Sequence, residues 1–166
     1  MRNQLNPDNG SGVFRLTPGQ TYTWTFTTVT HMGIDTGHLT ARLVWQIHDY
    51  ACGDSPLTIL GIQNITGTQV WDLASGNGTE TMPYTEGATD SWVITALISD
   101  TASGHIRAYR NGVKIVDTDG PTYNACSQGG PWWNFGPYMW DWVYNNAPSS
   151  LNSVEILFTS MALTAS

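Results

Sequence analysis

The chain's 166 residues suit one domain and suffice to bury roughly two-thirds of the unfolded surface. Charged residues make up only 11%, against about 25% in a typical domain, and six Lys plus Arg leave a formal charge of −7. This balance argues against a basic nucleic-acid patch and against strongly polyanionic ligands. No apolar run reaches membrane-spanning length, so no membrane insertion is expected.

The chain reads as a single domain over residues 1–166, with residues 1–12 as an extended arm. The opening "MRNQLNPDNG" has no apolar stretch of signal-peptide type. An extracellular location would then follow removal of a leader, and a virion surface would follow assembly. From there the periodicity is two almost throughout. "TYTWTFTTV" sets Tyr22, Trp24 and Phe26 against threonines, the pattern of a half-buried antiparallel strand. "HLTARLVWQIHD" and "SPLTILGIQ" continue as strands, and "TQVWDLA" is a shorter one. In "SWVITALIS", Trp92, Ile94, Ala96 and Ile98 share one face, and Val93, Thr95 and Leu97 the other.

"GHIRAYRNGVKIVDT" is a hairpin, because Asn111-Gly112 supplies the two positive φ angles of a type I′ turn. "PWWNFGPYMWDWV" is a strand interrupted by Gly136-Pro137, and "SVEILFTSMAL" is an apolar closing strand. No segment carries a helical period with caps. Many short strands with Gly, Asn and Pro turns predict an all-β antiparallel sandwich or jelly roll.

Cys52 and Cys126 lie in Gly/Ser/Asn-rich stretches that read as loops, and they form a candidate disulfide. Such a bridge would close a long loop and imply an oxidising location. Two N-x-T sequons occur, at Asn64 and Asn77. Asp49 and Asp54 are candidate Ca²⁺ ligands, but no EF-hand-like spacing supports them and loop solvation explains them better. No cofactor is implied.

The stretch "RLVWQIHDY" places polar residues inside an apolar run. Side chains alternate faces along a strand. Alternation puts Arg42, Val44, Gln46 and His48 on one face and Leu43, Trp45 and Ile47 on the core face. The same count over 132–143 sets Trp133, Phe135, Met139 and Val143 apart from Trp132, Asn134, Tyr138, Trp140 and Trp142. The second set mixes aromatics with polar groups, as an open groove for sugar rings requires. His105 shares a face with Arg107 and Tyr109, a second candidate lining.

"WQIH" followed by "NFGPY" resembles the strand motifs of alginate lyase and heparinase-I-type polysaccharide lyases. The order of segments agrees over most of the chain. It runs from "RNQL" through a Y-x-W-x-F strand, Q-I-H and "SPLTILGI" to "DSWVI", the Asn-Gly hairpin and "FGPY". The resemblance implies a β-jelly roll with a concave polymer-binding sheet and β-elimination at a uronic acid. By motif, Gln46 would hydrogen-bond the uronate carboxylate, and His48 would neutralise it or act as base. Tyr138 would be the acid, or both acid and base, and Arg2 would fill the place of the family's carboxylate-binding arginine. Arg42, Asn134, Trp132, Trp140, Trp142 and Arg107 would contact the polysaccharide. The chain departs from the pattern at Gln4, Asn134 and Met139, where the family has Glu, Lys and often Arg; two of these changes remove positive charge.

Two readings therefore stand. One is a polysaccharide lyase-like protein acting on a uronic-acid polymer. The other is a non-catalytic jelly roll that binds glycans or decorates a virion or other surface, assembling with its neighbours there.

Overall fold

The computed structural model describes residues 15–31, 42–48, 56–124, 130–138 and 155–166. They form ten strands: β1 Thr21–His31, β2 Arg42–His48, β3 Thr58–Ile65, β4 Thr68–Ser75, β5 Gly78–Pro83, β6 Thr89–Leu97, β7 His105–Arg110, β8 Val113–Asp119, β9 Trp132–Tyr138 and β10 Glu155–Ala165. All pairings are antiparallel, in two five-stranded sheets ordered β10-β1-β6-β7-β8 and β5-β4-β3-β2-β9. No helix occurs among the described residues. The all-β sandwich expected from the alternation is the observed architecture.

The alternation has a direct physical reading. In β1, Tyr22, Trp24 and Phe26 are buried, and Thr23 on the other face bonds Thr95 of β6 at 3.0 Å. In β6, Trp92, Ile94 and Ala96 are fully buried, as is Ile98 just past its end, and Val93 is exposed. Five of the eight tryptophans, Trp24, Trp45, Trp71, Trp92 and Trp133, belong to the core between the sheets. The sheets meet through edge-on ring contacts, with centroids 5.0 Å apart for Trp24–Trp45, 4.9 Å for Phe26–Phe135 and 4.8 Å for Trp71–Trp92. Such pairs add about 0.5–1.5 kcal/mol each beyond their area burial. The tryptophan-rich composition thus mostly serves the core.

A buried ion pair also ties the sheets together. Asp90 of β6 accepts Arg110 Nε at 2.8 Å and Nη2 at 3.1 Å, Asn111 Nδ2 at 2.9 Å and Trp71 Nε1 of the opposite sheet at 3.1 Å. Arg110 also donates to the Pro83 carbonyl at 2.6 Å and lies over the Trp71 and Trp92 rings.

The β7–β8 turn has Asn111 at φ 52° and Gly112 at φ 78°, as a type I′ turn requires. A second such turn, at Thr66 (φ 49°) and Gly67 (φ 89°), joins β3 to β4. Asn64 Oδ1 accepts the Gly67 amide there at 2.8 Å, so the buried Asn64 carboxamide of the first sequon serves the turn. The β5 strand escaped the sequence pattern because, at a sheet edge, only its Met82 is buried. The closing strand β10 is also an edge: Ile156, Phe158 and Leu163 lean on the core while Leu157 and Met161 face out.

Candidate functional site

The second sheet positions the Q-I-H residues. Trp45 lies opposite Leu60 and Phe135, and Ile47 opposite Thr58 and Trp133; these side chains are buried in the sandwich. Gln46 lies opposite Ile59 and Asn134, and His48 opposite Trp132. Directly opposed residues share a face. Gln46, His48, Asn134 and Trp132 therefore form one cluster on the outer face of this sheet, where the His48 and Trp132 rings sit 5.4 Å apart.

Two irregularities decide the rest. A bulge between Leu43 and Trp45 breaks simple alternation in β2. Val44, expected beside Gln46, is instead fully buried in the core, while Leu43 takes the outer-face register opposite Gly61 and Tyr138. Arg42 falls opposite the core residue Ile62, so its register position leaves the Gln46 face. In β9 the register advances three residues, from Phe135 to Tyr138, while β2 advances two. Gly136 sits in that step at φ 110°, a conformation that favours glycine. The step sets Tyr138 opposite Leu43, a register position on the face of Gln46 and His48.

The cluster differs from an open groove. Gln46 and Asn134 are each 1% exposed and Trp132 4%, and of the four only His48 is partly exposed. Within the sheet, Gln46 lies on the interior strand β2 between Ile59 and Asn134. Gln46 Oε1 is buried without a hydrogen bond. Most buried polar atoms are bonded, so such an oxygen marks a functional position or a cost in stability.

Asp72 and Arg15 join this face and escaped the sequence reading. Asp72 of β4 lies opposite Gly61, in the row that continues to Leu43 and Tyr138. It is 3% exposed; Oδ2 accepts Gln63 Nε2, and Oδ1 has no hydrogen bond. Burial pushes its carboxyl above the ordinary range, and the Gln63 bond pulls partly against that. Parity alone flags Asp72, because it alternates with Trp71 and Leu73, both core residues. Arg15 bridges Trp132, extending the His48 row, and is exposed with Nη1 on the Gly130 carbonyl at 2.8 Å. No local period marks Arg15; a long-range pairing places it.

Other expected residues do not join. Arg107 lies on the outer face of the other sheet, where its Nε meets Asp117 at 3.1 Å. His105 on the same strand sits between Asp117 at 3.0 Å and Asp119 at 2.7 Å. The Lys114 bond, helped by Arg107, holds the Asp117 carboxyl down at about 2. Those strands belong to the sheet opposite Gln46, so a groove around His105 is separate from the Q-I-H face. Arg2, Trp140, Trp142, Cys52, Cys126, Asp49 and Asp54 lie outside the described residues. Among the described residues, no group of three or more His, Cys, Asp or Glu converges as a metal site.

No protein-family profile and no curated protein matches the chain. Solved structures do. The endo-β-1,4-glucuronan lyase from the fungus Trichoderma reesei matches with a TM-score of 0.65 at 13% identity, over 96% of this chain and 72% of that one. A variant of the alginate lyase Aly36B in complex with alginate trisaccharide matches at 0.64 and 12%, over 90% and 72%. The marine alginate lyase AlyA1 from Zobellia galactanivorans matches at 0.63 and 12%, over 100% and 70%. At these identities the likeness is one of fold: the chain has the β-jelly roll of alginate and glucuronan lyases.

Proposed function

We propose that the protein is a polysaccharide lyase-like protein that works by β-elimination on a uronic-acid-containing polysaccharide. The observation that carries this reading is the β2–β9 register, which groups Gln46, His48, Asn134 and Trp132 and sets Tyr138 at a position on the same face, within a lyase-type fold. In this reaction a base removes the proton at C5. The freed electron pair forms the C4–C5 double bond, the C4–O bond breaks, and the departing oxygen takes a proton from an acid. Charge grows on the C5 carboxylate side, so donors aimed there lower the barrier. In this reading the Gln46 amide donates to the carboxylate, His48 neutralises it or takes the proton, and Tyr138 protonates the leaving oxygen. Arg2 remains the carboxylate-binding cation proposed from its motif, and Arg15, on the His48 row, is a further candidate. Asn134 and the aromatic residues Trp132, Trp140 and Trp142 complete the polymer contacts. Such a protein would work outside the cell or on a virion surface.

A second reading, glycan binding or surface decoration without catalysis, draws support from the near-complete burial of Gln46, Asn134 and Trp132.

The test is incubation with alginate, glucuronan and heparin while following the ultraviolet absorbance of the unsaturated product. Activity is expected on at least one uronate polymer. It should fall about 10²–10⁴-fold in Tyr138→Phe and in His48→Ala, the range of acid–base catalysis. Absence of product on every polymer, with retained binding, would leave the non-catalytic reading.

A further inference from the structure

Four strands end the two sheets: β5 and β9 bound one, β8 and β10 the other. An edge strand exposes a row of unpaired backbone groups, and monomeric proteins guard such edges with short strands, charge, proline or a bulge. Three of these four are guarded. β5 spans six residues and carries Glu80 and Pro83, β8 carries Lys114, Asp117 and Asp119, and β9 holds Gly136-Pro137 at its register step. β10 runs eleven residues, and from Ile156 to Ala165 it has no charged residue and no proline. Among the described residues, no strand pairs with its outer side.

The hydrogen-bond pattern identifies the groups on that side. Ser166 exchanges both backbone bonds with Thr21, at 3.0 and 3.2 Å. Bonded and non-bonded positions alternate along an antiparallel pair. With the β1–β10 register, Thr164, Ala162 and Ser160 bond to β1, and Ala165, Leu163 and Met161 turn their N–H and C=O to the free side. Met161 is 44% exposed although it lies in register with the core residue Phe26. The edge therefore offers both unpaired backbone and an uncovered apolar side chain.

We propose that β10 is the interface between two copies of this chain, paired antiparallel about a two-fold axis at Ala162. In that register Met161 of one copy lies opposite Leu163 of the other, so positions with free backbone groups meet each other and their apolar side chains share a face. Ala162 meets Ala162 in a non-hydrogen-bonded pair, and Ser160 meets Thr164. Glu155 lies beyond the paired run, so no like charges oppose. The pairing joins two five-stranded sheets into one of ten strands. It consumes the unguarded edge of both copies, so the assembly closes at two.

The experiment is sedimentation velocity on the full chain over a dilution series. Wild type should show a monomer–dimer equilibrium with no larger species. The paired Ala162 Cα atoms would lie about 4.5 Å apart. Ala162→Lys therefore opposes like charges and should weaken the dimer roughly tenfold or more, as should Ala162→Glu. Mixing the two variants should restore the dimer, because the axis sets Lys against Glu. Val113→Lys, at an exposed position on the β8 edge, should dimerise like wild type. Ala162 is exposed, so circular dichroism and thermal unfolding should show both of its variants folded. A wild type that is monomeric throughout, or that grows beyond dimers, overturns the proposal. So do Ala162 variants that dimerise undiminished, and a mixture of the two that stays monomeric.

Discussion

Replacing Gln46 by leucine separates a structural amide from a functional one. Gln46 is 1% exposed, and its Oε1 has no hydrogen bond. An unsatisfied buried polar group costs about 1–3 kcal/mol. Leucine removes that cost and fills a similar volume, with a shape penalty of about 1 kcal/mol. Gln46→Leu should therefore stabilise the fold by up to about 2 kcal/mol. At roughly 2–4 °C per kcal/mol for a chain of this size, the midpoint rises by up to roughly 8 °C. Urea unfolding followed by tryptophan fluorescence, with calorimetry alongside, reads the change. The midpoint should move up at constant slope. The same variant should lose glycan binding or lyase activity, the exchange of stability for function expected at a working site. A loss of 1 kcal/mol or more in Gln46→Leu would refute the reasoning, because the amide would then be holding the fold together.

Three further outcomes follow from the geometry. Asp90→Ala leaves Arg110 without its carboxylate and Trp71 Nε1 without its acceptor; breaking a buried pair costs about 3–5 kcal/mol, so calorimetry should show a midpoint lower by roughly 6–20 °C. Gly136→Ala forces a side chain onto a φ of 110° and should cost about 1–3 kcal/mol in urea unfolding, with altered amide-exchange protection across β2 and β9. Lys114→Ala removes the main influence on Asp117, and carbon-detected NMR titration should find its pKa moved from about 2 toward 3.8. The sign is that of a depressed carboxylate: the contribution to stability is present above the unfolded value of 3.8 and is lost as pH falls through about 2, and the variant should lose it at higher pH.

Much of the fold was legible because burial on one face writes itself into the sequence with period two. Trp24 against Thr23, or Trp92 against Val93, needs no tertiary information to interpret. The Asn111-Gly112 turn was legible for a different reason, since its backbone angles restrict the residues that fit. Edge strands such as β5 bury little and so left little pattern. The tryptophan count was ambiguous in sequence, because a core and a sugar groove both use large rings; the structure assigned five of the eight to the core.

The candidate site divides in the same way. Local alternation determined that Gln46 and His48 face away from Trp45 and Ile47, and that Asn134 faces away from Trp133 and Phe135. It could not determine that the two strands pair, since the register between β2 and β9 is a long-range fact. Nor could it count through a bulge: one extra residue at Val44 sent that side chain into the core and set Leu43 opposite Gly61 and Tyr138. Asp72 and Arg15 reached the same face only through pairings with strands distant in sequence. Side-chain direction is a property of neighbouring residues. The company a side chain keeps depends on which strands the chain brings together.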